Sequence, residues 1–259
     1  MMVGAALVLA AMLGPLDEAE AALAAGRIDQ SAKMIQQLSS EGVTGPRFDR
    51  LRAGQALAAG RDTEALSLYG NLAYRPQSPA SDREGAAIAA YRLGKAADAR
   101  VWVAQAMTMK GASWRAFNLC GILADEASDF VAADTCYDRA DAMAPGRAEV
   151  TNNRGWSLLL RGHWQDAGAA FEKALAIDPS DRLARSNLDL ARAAIASDLP
   201  QRREGEADGD FARRLNDAGV MAAAAGQQDR ALSAFANAIE TRPTWSATAA
   251  RNLEDAQRP

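Results

Sequence analysis

The sequence predicts an all-α solenoid made of about six helix–turn–helix repeats with capping helices. Three observations predict it. Of the 259 residues, 61 are alanine, which is the strongest helix former and lets helices pack closely. Aromatic residues make up only 6% of the chain, and runs of β-branched residues are missing, which argues against strands. Glycines also recur at a regular spacing, which is typical of a repeat array.

The regular spacing is 34 residues. Gly26, Gly60, Gly94 and Gly162 lie 34, 34 and 68 residues apart, and Ser128 occupies the skipped position. We interpret this column as the end of a helix where the chain reverses, because glycine adopts a left-handed backbone conformation at little cost. The spacing defines five contiguous repeats, at 12–45, 46–79, 80–113, 114–147 and 148–181.

Three more columns recur in phase with these turns. Small residues lie seven positions before each turn and five after it, and a large apolar residue lies nine after it. Facing small residues let the two helices of a pair approach closely, and the large residue is expected to fill the space between that pair and the next helix. One pair cannot bury its own apolar faces, so the repeats are expected to stack.

Beyond residue 181 the period holds for one helix, expected at 182–196, and then breaks. Residues 197–211 contain a proline and a run of charges, and are predicted to form a mobile loop. A further repeat at 212–245 and a last helix at 246–257 follow. The predicted organisation is therefore an array over 14–196, a charged loop at 197–211, and a repeat with a C-terminal capping helix at 212–257.

Residues 1–13 (MMVGAALVLAAML) are uncharged and almost entirely apolar. They are too short to cross a bilayer, which takes about 20 residues, but their length suits the apolar core of a secretory signal. The alternative is that they form the first helix of the array. We expect export and a periplasmic or cell-envelope location rather than a cytoplasmic one. Any membrane association is expected to come from this segment.

The 34-residue repeat resembles the tetratricopeptide repeat (TPR) family, most clearly at 148–181. There the family's small–small–aromatic–alanine–proline set is matched by Gly155, Ala167, Phe171, Ala174 and Pro179. The resemblance implies a right-handed TPR superhelix whose first helices line a concave groove that binds another protein.

The second half of the chain carries a narrower resemblance. Residues 148–256 begin with an NN pair, continue through a proline-ended helix pair and reach a helix with an R-x-N-L motif. In this order they are similar to the TadD-like assembly proteins of bacterial tight-adherence (Flp) pili. This similarity implies a role in assembling a bacterial envelope or pilus system.

Composition argues against several functions. A net charge of −4 and a pI near 5.2 do not suit a nucleic-acid binder that works by neutralising phosphates. His163 is the only histidine and is expected on a surface loop, and no catalytic or metal-binding motif is present. We therefore predict no enzymatic activity, no cofactor and no metal.

The predicted function is a scaffold that binds an extended or helical segment of another protein. The alternatives are a cytoplasmic TPR chaperone or regulator that holds a client segment, and an accessory module of an enzyme complex. The four lysines fall at turns or on second helices, so a lysine clamp for the terminal carboxylate of a peptide is not expected.

The resemblance places the partner-binding residues on the first helices. Asparagines there can bond a peptide backbone, since an amide both donates and accepts; the alternative is that they bond neighbouring helices or water. Trp156 is expected either to anchor a partner's side chain or to be buried between first helices, and Tyr91 has the same two interpretations. The predicted groove residues are Tyr91, Arg115, Asn118, Ile122, Asn152, Asn153, Trp156, Asn187 and Asn216.

The two cysteines have two interpretations. Cys120 and Cys136 fall on the two helices of the 114–147 repeat, at facing heights. They form a disulfide if the protein is exported, or they are two buried free thiols. Asp125, Glu126 and the charges at 202–210 are expected to face solvent.

Overall fold

The computed structural model describes residues 14–195, 199–241 and 247–257. Those residues form fourteen α-helices and contain no strand. The predicted signal at 1–13 lies outside the described residues. The helices are α1 Pro15–Ala24, α2 Ile28–Ser40, α3 Pro46–Ala58, α4 Asp62–Ala73, α5 Ala80–Arg92, α6 Ala96–Met107, α7 Trp114–Glu126, α8 Phe130–Met143, α9 Ala148–Leu160, α10 Trp164–Ile177, α11 Arg182–Ile195, α12 Asp208–Ala224, α13 Gln228–Thr241 and α14 Ala247–Ala256.

The chain divides into two compact units, which we call the N-terminal half (Met1–Cys120) and the C-terminal half (Gly121–Pro259). In each half the helices follow one another as antiparallel pairs joined by short turns. In two of the later repeats the second helix ends just before a proline, as predicted. Helix α8 ends at Met143 and α10 ends at Ile177. Pro145 and Pro179 follow these ends, as expected from the restriction that proline places on the preceding residue.

The first helix of each repeat ends in the same turn. The backbone is left-handed at Gly26, Gly60, Gly94 and Gly162, with φ between 72° and 75°. Ser128 adopts the same conformation, with φ of 57°. The next residue then donates its N–H to a carbonyl five positions back, as in Arg27 to Ala22 and His163 to Leu158 (2.9 and 3.0 Å). This bond satisfies the free carbonyls at the helix end, and the reversals lie at the predicted residues.

The small columns bring the helices of each pair together. In the first pair Ser31 Oγ donates to the Ala19 carbonyl of the facing helix at 3.2 Å. The two helices are therefore close enough for one serine side chain to bond the backbone of its neighbour. Every residue of the small column on the second helices is fully buried: Ser31, Ala65, Ala99, Ala133, Ala167 and Ala231.

The column of large apolar residues also packs inside its own helix pair, which was not predicted. A Cβ on Gly121, Gly155 or Gly219 would lie 2.4, 2.6 or 2.4 Å from the ring on the second helix of the same pair, which belongs to Tyr137, Phe171 and Phe235 respectively. The Tyr69 ring lies against Gly85 of the next pair. Phe171 shares a core cluster with Leu188 and Leu190 of α11, and Ile35 packs against a cluster that includes Phe48 and Leu51 of α3. The large residues therefore fill the inside of a pair and also contribute to the packing against the next helix, as predicted.

The array is irregular after α11. Helix α12 begins at Asp208, inside the segment predicted as a loop at 197–211, so that prediction is too long at its C-terminal end. Asp208 and Asp210 lie in the first turn of α12, where carboxylates are favourable because of the helix dipole. Of the residues between α11 and α12, the structure describes 199–207. Leu199 packs against the core and Pro200 is buried, which ties the start of this connection to the helices.

Candidate functional site

Asparagines on the first helices of the C-terminal half bond to one another. Asn187 Nδ2 donates to Asn152 Oδ1 at 2.9 Å, and Asn252 Nδ2 donates to Asn216 Oδ1 at 2.9 Å. Asn152 and Asn187 are only 3% and 4% exposed. For these two residues the geometry favours the alternative interpretation, in which the amides hold neighbouring helices together.

The same position is charged in the N-terminal half. Arg50 Nε donates to both carboxylate oxygens of Asp82 at 2.8 and 3.1 Å, and Asp82 is fully buried. One repeat further along, Glu84 accepts hydrogen bonds from the Ser113 amide at 2.6 Å and the Ser113 hydroxyl at 2.7 Å. In both halves, therefore, this column forms polar bonds to the next first helix or, at Ser113, to the residue that precedes it.

The other predicted groove residues differ in exposure. Asn118 is buried, Tyr91, Ile122 and Asn153 are half-buried, and Arg115 is exposed. The Arg115 guanidinium lies 4.7 Å from the centroid of the Trp114 ring. The partner-binding role of these residues stays a prediction.

Trp156 is half-buried and packs against the core cluster that contains Leu159 and Phe171. Part of its ring is therefore used in packing, which favours the interpretation that it lies against its own array. The rest of the ring is exposed to solvent.

Two cavities flank α12 in the C-terminal half. One, of about 670 Å³, lies between α11, the 199–207 connection and α12, and Asn187 is on its wall. The other, of about 500 Å³, lies between α12 and Thr248 of α14, and Asn216 is on its wall. We call the larger one the α11–α12 cavity. Both cavities are lined by one charged stripe of α12, namely Asp210, Arg213 and Asp217.

A buried ion pair builds the rim of the α11–α12 cavity. Arg214 is 5% exposed, and its Nη1 contacts both carboxylate oxygens of Glu206 at 2.9 Å. Arg203 forms an ion pair with Asp189 of α11. Burial alone would raise the pKa of Glu206, but hydrogen bonds from the Arg203 amide and the Arg214 guanidinium outweigh it and lower the pKa. The expectation that the charges at 202–210 all face solvent is therefore wrong for Glu206.

Asp125 is also buried rather than solvent-facing, so that expectation is wrong as well. It accepts hydrogen bonds from the Tyr137 hydroxyl at 2.8 Å and the Ser157 hydroxyl at 2.6 Å. Burial raises its pKa, and these two hydrogen bonds oppose the rise only in part. Because Asp125, Tyr137 and Ser157 come from three helices, this carboxylate links α7, α8 and α9.

Asp217 lies on the stripe between the two cavities. Burial raises its pKa to about 6, and the hydrogen bond from Asn216 and the charge of Arg213 oppose this only in part. A raised carboxyl pKa means that ionisation of Asp217 destabilises the fold. The destabilisation is absent when the group is protonated in both states and complete above pH about 6.

We expect Asp217→Asn to raise the free energy of unfolding by about 1–3 kcal/mol at about pH 7.5, since two pKa units correspond to about 3 kcal/mol. Urea denaturation at several pH values measures the change, which should shrink towards zero near pH 4. Asp166→Asn, at an exposed carboxylate of α10, is the control. A gain that does not depend on pH would contradict the assignment.

The cysteines and the histidine were also singled out from the sequence. Both cysteines are disulfide-bonded. His163 is exposed, with its Nδ1 3.7 Å from a carboxylate oxygen of Asp166. Across the described ranges, no group of side chains is arranged to hold a metal ion, and no helix has the length and apolar character needed to cross a membrane.

Stacked antiparallel helix pairs, left-handed turns at a 34-residue spacing and small residues at the pair contacts define a TPR-like α-solenoid fold. Residues 148–181 match the family model for the tetratricopeptide repeat. The all-α TPR solenoid predicted from the sequence is therefore confirmed. No curated protein matches the chain by sequence.

Solved structures with the same fold include three that cover nearly the whole chain. The chain is similar to a chain of the APC/C hetero-tetramer Cut9–Hcn1 (TM-score 0.65, 12% identity), with 94% of this chain covered but only 48% of that one. A tetratricopeptide repeat protein from Parabacteroides merdae (TM-score 0.54, 12% identity) is matched over 94% of this chain and 98% of that chain. PilW, a type IV pilus biogenesis factor (TM-score 0.53, 16% identity), is matched over 92% and 96%. At these identities the similarity shows the fold alone.

The sequence did not predict the α11–α12 cavity, because acidic and basic residues in a connection are usually exposed to solvent. One feature of the sequence does indicate the buried ion pair. Arg214 lies among Ala212, Leu215 and Ala218 on the buried face of α12, and an arginine at a buried position requires a buried anionic partner.

Proposed function

We propose that this chain is a non-enzymatic scaffold that binds an extended segment of a partner protein across α11, the 199–207 connection and α12. The observation that carries the proposal is the pair of cavities that share the charged stripe of α12. The larger cavity, at about 670 Å³, is in the usual range for ligand sites, which is about 300–1,000 Å³. A polar wall with few apolar side chains suits a peptide better than a lipid or a cofactor.

We further propose that the partner belongs to a bacterial envelope or pilus assembly system. The similarity of 148–256 to TadD-like proteins supports this, as does the shared fold with PilW, a type IV pilus biogenesis factor. The disulfide-bonded state of both cysteines supports export, because disulfides persist in oxidising compartments.

Site-specific photocrosslinking in the native cell tests the proposal. A photoreactive amino acid at Leu183, which is exposed on the wall of the α11–α12 cavity, should crosslink to one protein. The same amino acid at Val131, which is exposed on α8 away from the cavity, is the control. Fractionation of the same cells should place the crosslinked species in the envelope.

Equal crosslinking from Leu183 and Val131, or none from either, would contradict binding at this face. A Leu183 crosslink found only in the cytosol, on a chain that retains Met1, would keep the scaffold but remove the envelope proposal. It would favour a cytoplasmic chaperone or regulator instead.

A further inference from the structure

We infer that the cavity between α12 and α14 binds a basic side chain, lysine or arginine, of the partner segment. This inference rests on the proposed function and names the chemistry that this part of the surface selects. It comes from the half-buried carboxylate of Asp217, which lines the cavity and forms no ion pair with any residue that the structure describes.

The wall of this cavity, which we call the α12–α14 cavity, carries more negative than positive charge. Its charged groups are Asp210, Arg213 and Asp217, so one guanidinium is present for two carboxylates. Arg213 forms an ion pair with Asp210, and both members of that pair lie on the wall. Once this pair is counted, the described wall keeps one negative charge, and that charge belongs to Asp217.

The hydrogen-bond partner of Asp217 is a neutral amide. Asn216 Oδ1 accepts the hydrogen bond from Asn252 of α14 at 2.9 Å, so the amide nitrogen of Asn216 is the donor to Asp217. The dipole of α12 adds little, because Asp208 and Asp210 already occupy its first turn and the effect is confined mainly to that turn. Asp217 is therefore stabilised by an amide rather than by an ion pair.

The burial of Asp217 selects the charge of the occupant. Burial raises the pKa of Asp217 to about 6, and the hydrogen bond from Asn216 and the charge of Arg213 oppose this only in part. At neutral pH the carboxylate is therefore ionised in surroundings that disfavour its charge. A cation placed beside it favours the charged form, whereas an anion repels it and an apolar group buries it further.

The size of the α12–α14 cavity suits a long basic side chain. Its volume of about 500 Å³ is in the usual range for ligand sites, which is about 300–1,000 Å³. Gly209 and Ala212 lie on the wall, and a Cβ on Gly209 would meet no atom within 4 Å. These small residues leave room for the methylene stem of a lysine or arginine whose charged end contacts Asp217.

The test is a fluorescent peptide of alternating lysine and serine, with both ends blocked, titrated with the full-length protein at about pH 7.5, where lysine is charged. The same peptide with acetylated lysines, which carry no charge, is the control probe. Binding of the lysine peptide should weaken at least about tenfold in Asp217→Asn, because a hydrogen bond between charged groups is lost. Asp166→Asn removes the same charge from an exposed position on α10 and should bind normally.

The pH dependence of binding is a second readout. Lysine stays charged below about pH 10, whereas Asp217 takes up a proton as the pH falls through about 6. Binding by the wild-type protein should therefore weaken between about pH 7.5 and about pH 5, while binding by Asp217→Asn should stay constant. Because Asp217→Asn is expected to stabilise the fold at neutral pH, unfolding would not explain weaker binding, and circular dichroism confirms that each variant stays folded.

Several outcomes would overturn the inference. These are equal binding of the lysine and acetyl-lysine peptides, equal binding by Asp217→Asn and Asp166→Asn, or wild-type binding that does not change with pH. A lysine peptide that fails to bind, while the Leu183 crosslink still forms in the native cell, would refute the basic chemistry and leave the scaffold proposal intact. Absence of that crosslink in the wild-type protein would refute the scaffold itself.

Discussion

Replacing Gly219 with alanine should lower the free energy of unfolding by about 3 kcal/mol, the upper end of the usual cost of overpacking. A Cβ at this position would lie 2.4 Å from the ring of Phe235, and Phe235 is only 2% exposed. The ring has no space into which to move, so the helices of this pair must separate. Urea denaturation followed by circular dichroism measures the loss.

A control for this substitution lies on the same helix. Gly209 is also in α12, and a Cβ there meets no atom within 4 Å. Gly209→Ala should be neutral or stabilise the protein by up to about 1 kcal/mol, because alanine is the better helix former. Equal effects at the two glycines would show that the close contact between Gly219 and Phe235 is not what limits the packing.

The second large effect is expected at Arg50. Arg50→Met should lower the free energy of unfolding by about 2–4 kcal/mol, because it leaves the fully buried Asp82 carboxylate without a cation. Ser78 still donates to Asp82 at 3.0 Å, and Arg50 is one-third exposed, so water replaces part of the lost interaction. Denaturation at neutral pH measures the change.

The double variant Arg50→Met/Asp82→Asn separates two explanations. Removing both charges should recover most of the loss, because the cost comes from a stranded carboxylate rather than from the missing ion pair itself. Arg75→Met, which breaks a partly exposed pair with Asp49 at 3.1 Å, is expected to cost less than about 1 kcal/mol. If the double variant is no more stable than Arg50→Met, burial of the Asp82 charge does not explain the loss.

The features of the fold that depend on a single repeat were predictable from the sequence. The turn column needs a residue that tolerates a left-handed backbone, and the small columns need side chains that let helices approach. Each requirement limits the residue type at one position, so it recurs visibly every 34 residues. Gly155 and Ala167 were assigned correctly for this reason.

Features that depend on contacts between particular side chains were not predictable in the same way. Asp125 was expected in solvent because acidic residues are mostly exposed, yet its two partners come from different helices and have no fixed sequence spacing. The same holds for Arg214 and Glu206, which meet across the connection before α12. The asparagine positions were predicted, but the sequence left open whether they bond a peptide or a neighbouring helix, since an amide bonds equally well to either.

The left-handed turn at Ser128 has a consequence for how such arrays diverge. A residue with a Cβ in this conformation costs roughly 1–2 kcal/mol, and here the cost is borne without any shift of the neighbouring helices from the common spacing. The packed columns on both sides of the turn evidently hold the chain in register by themselves. A non-glycine residue at the reversal point is therefore compatible with the repeat in this chain, and a sequence pattern that requires glycine there would miss the repeat at 114–147.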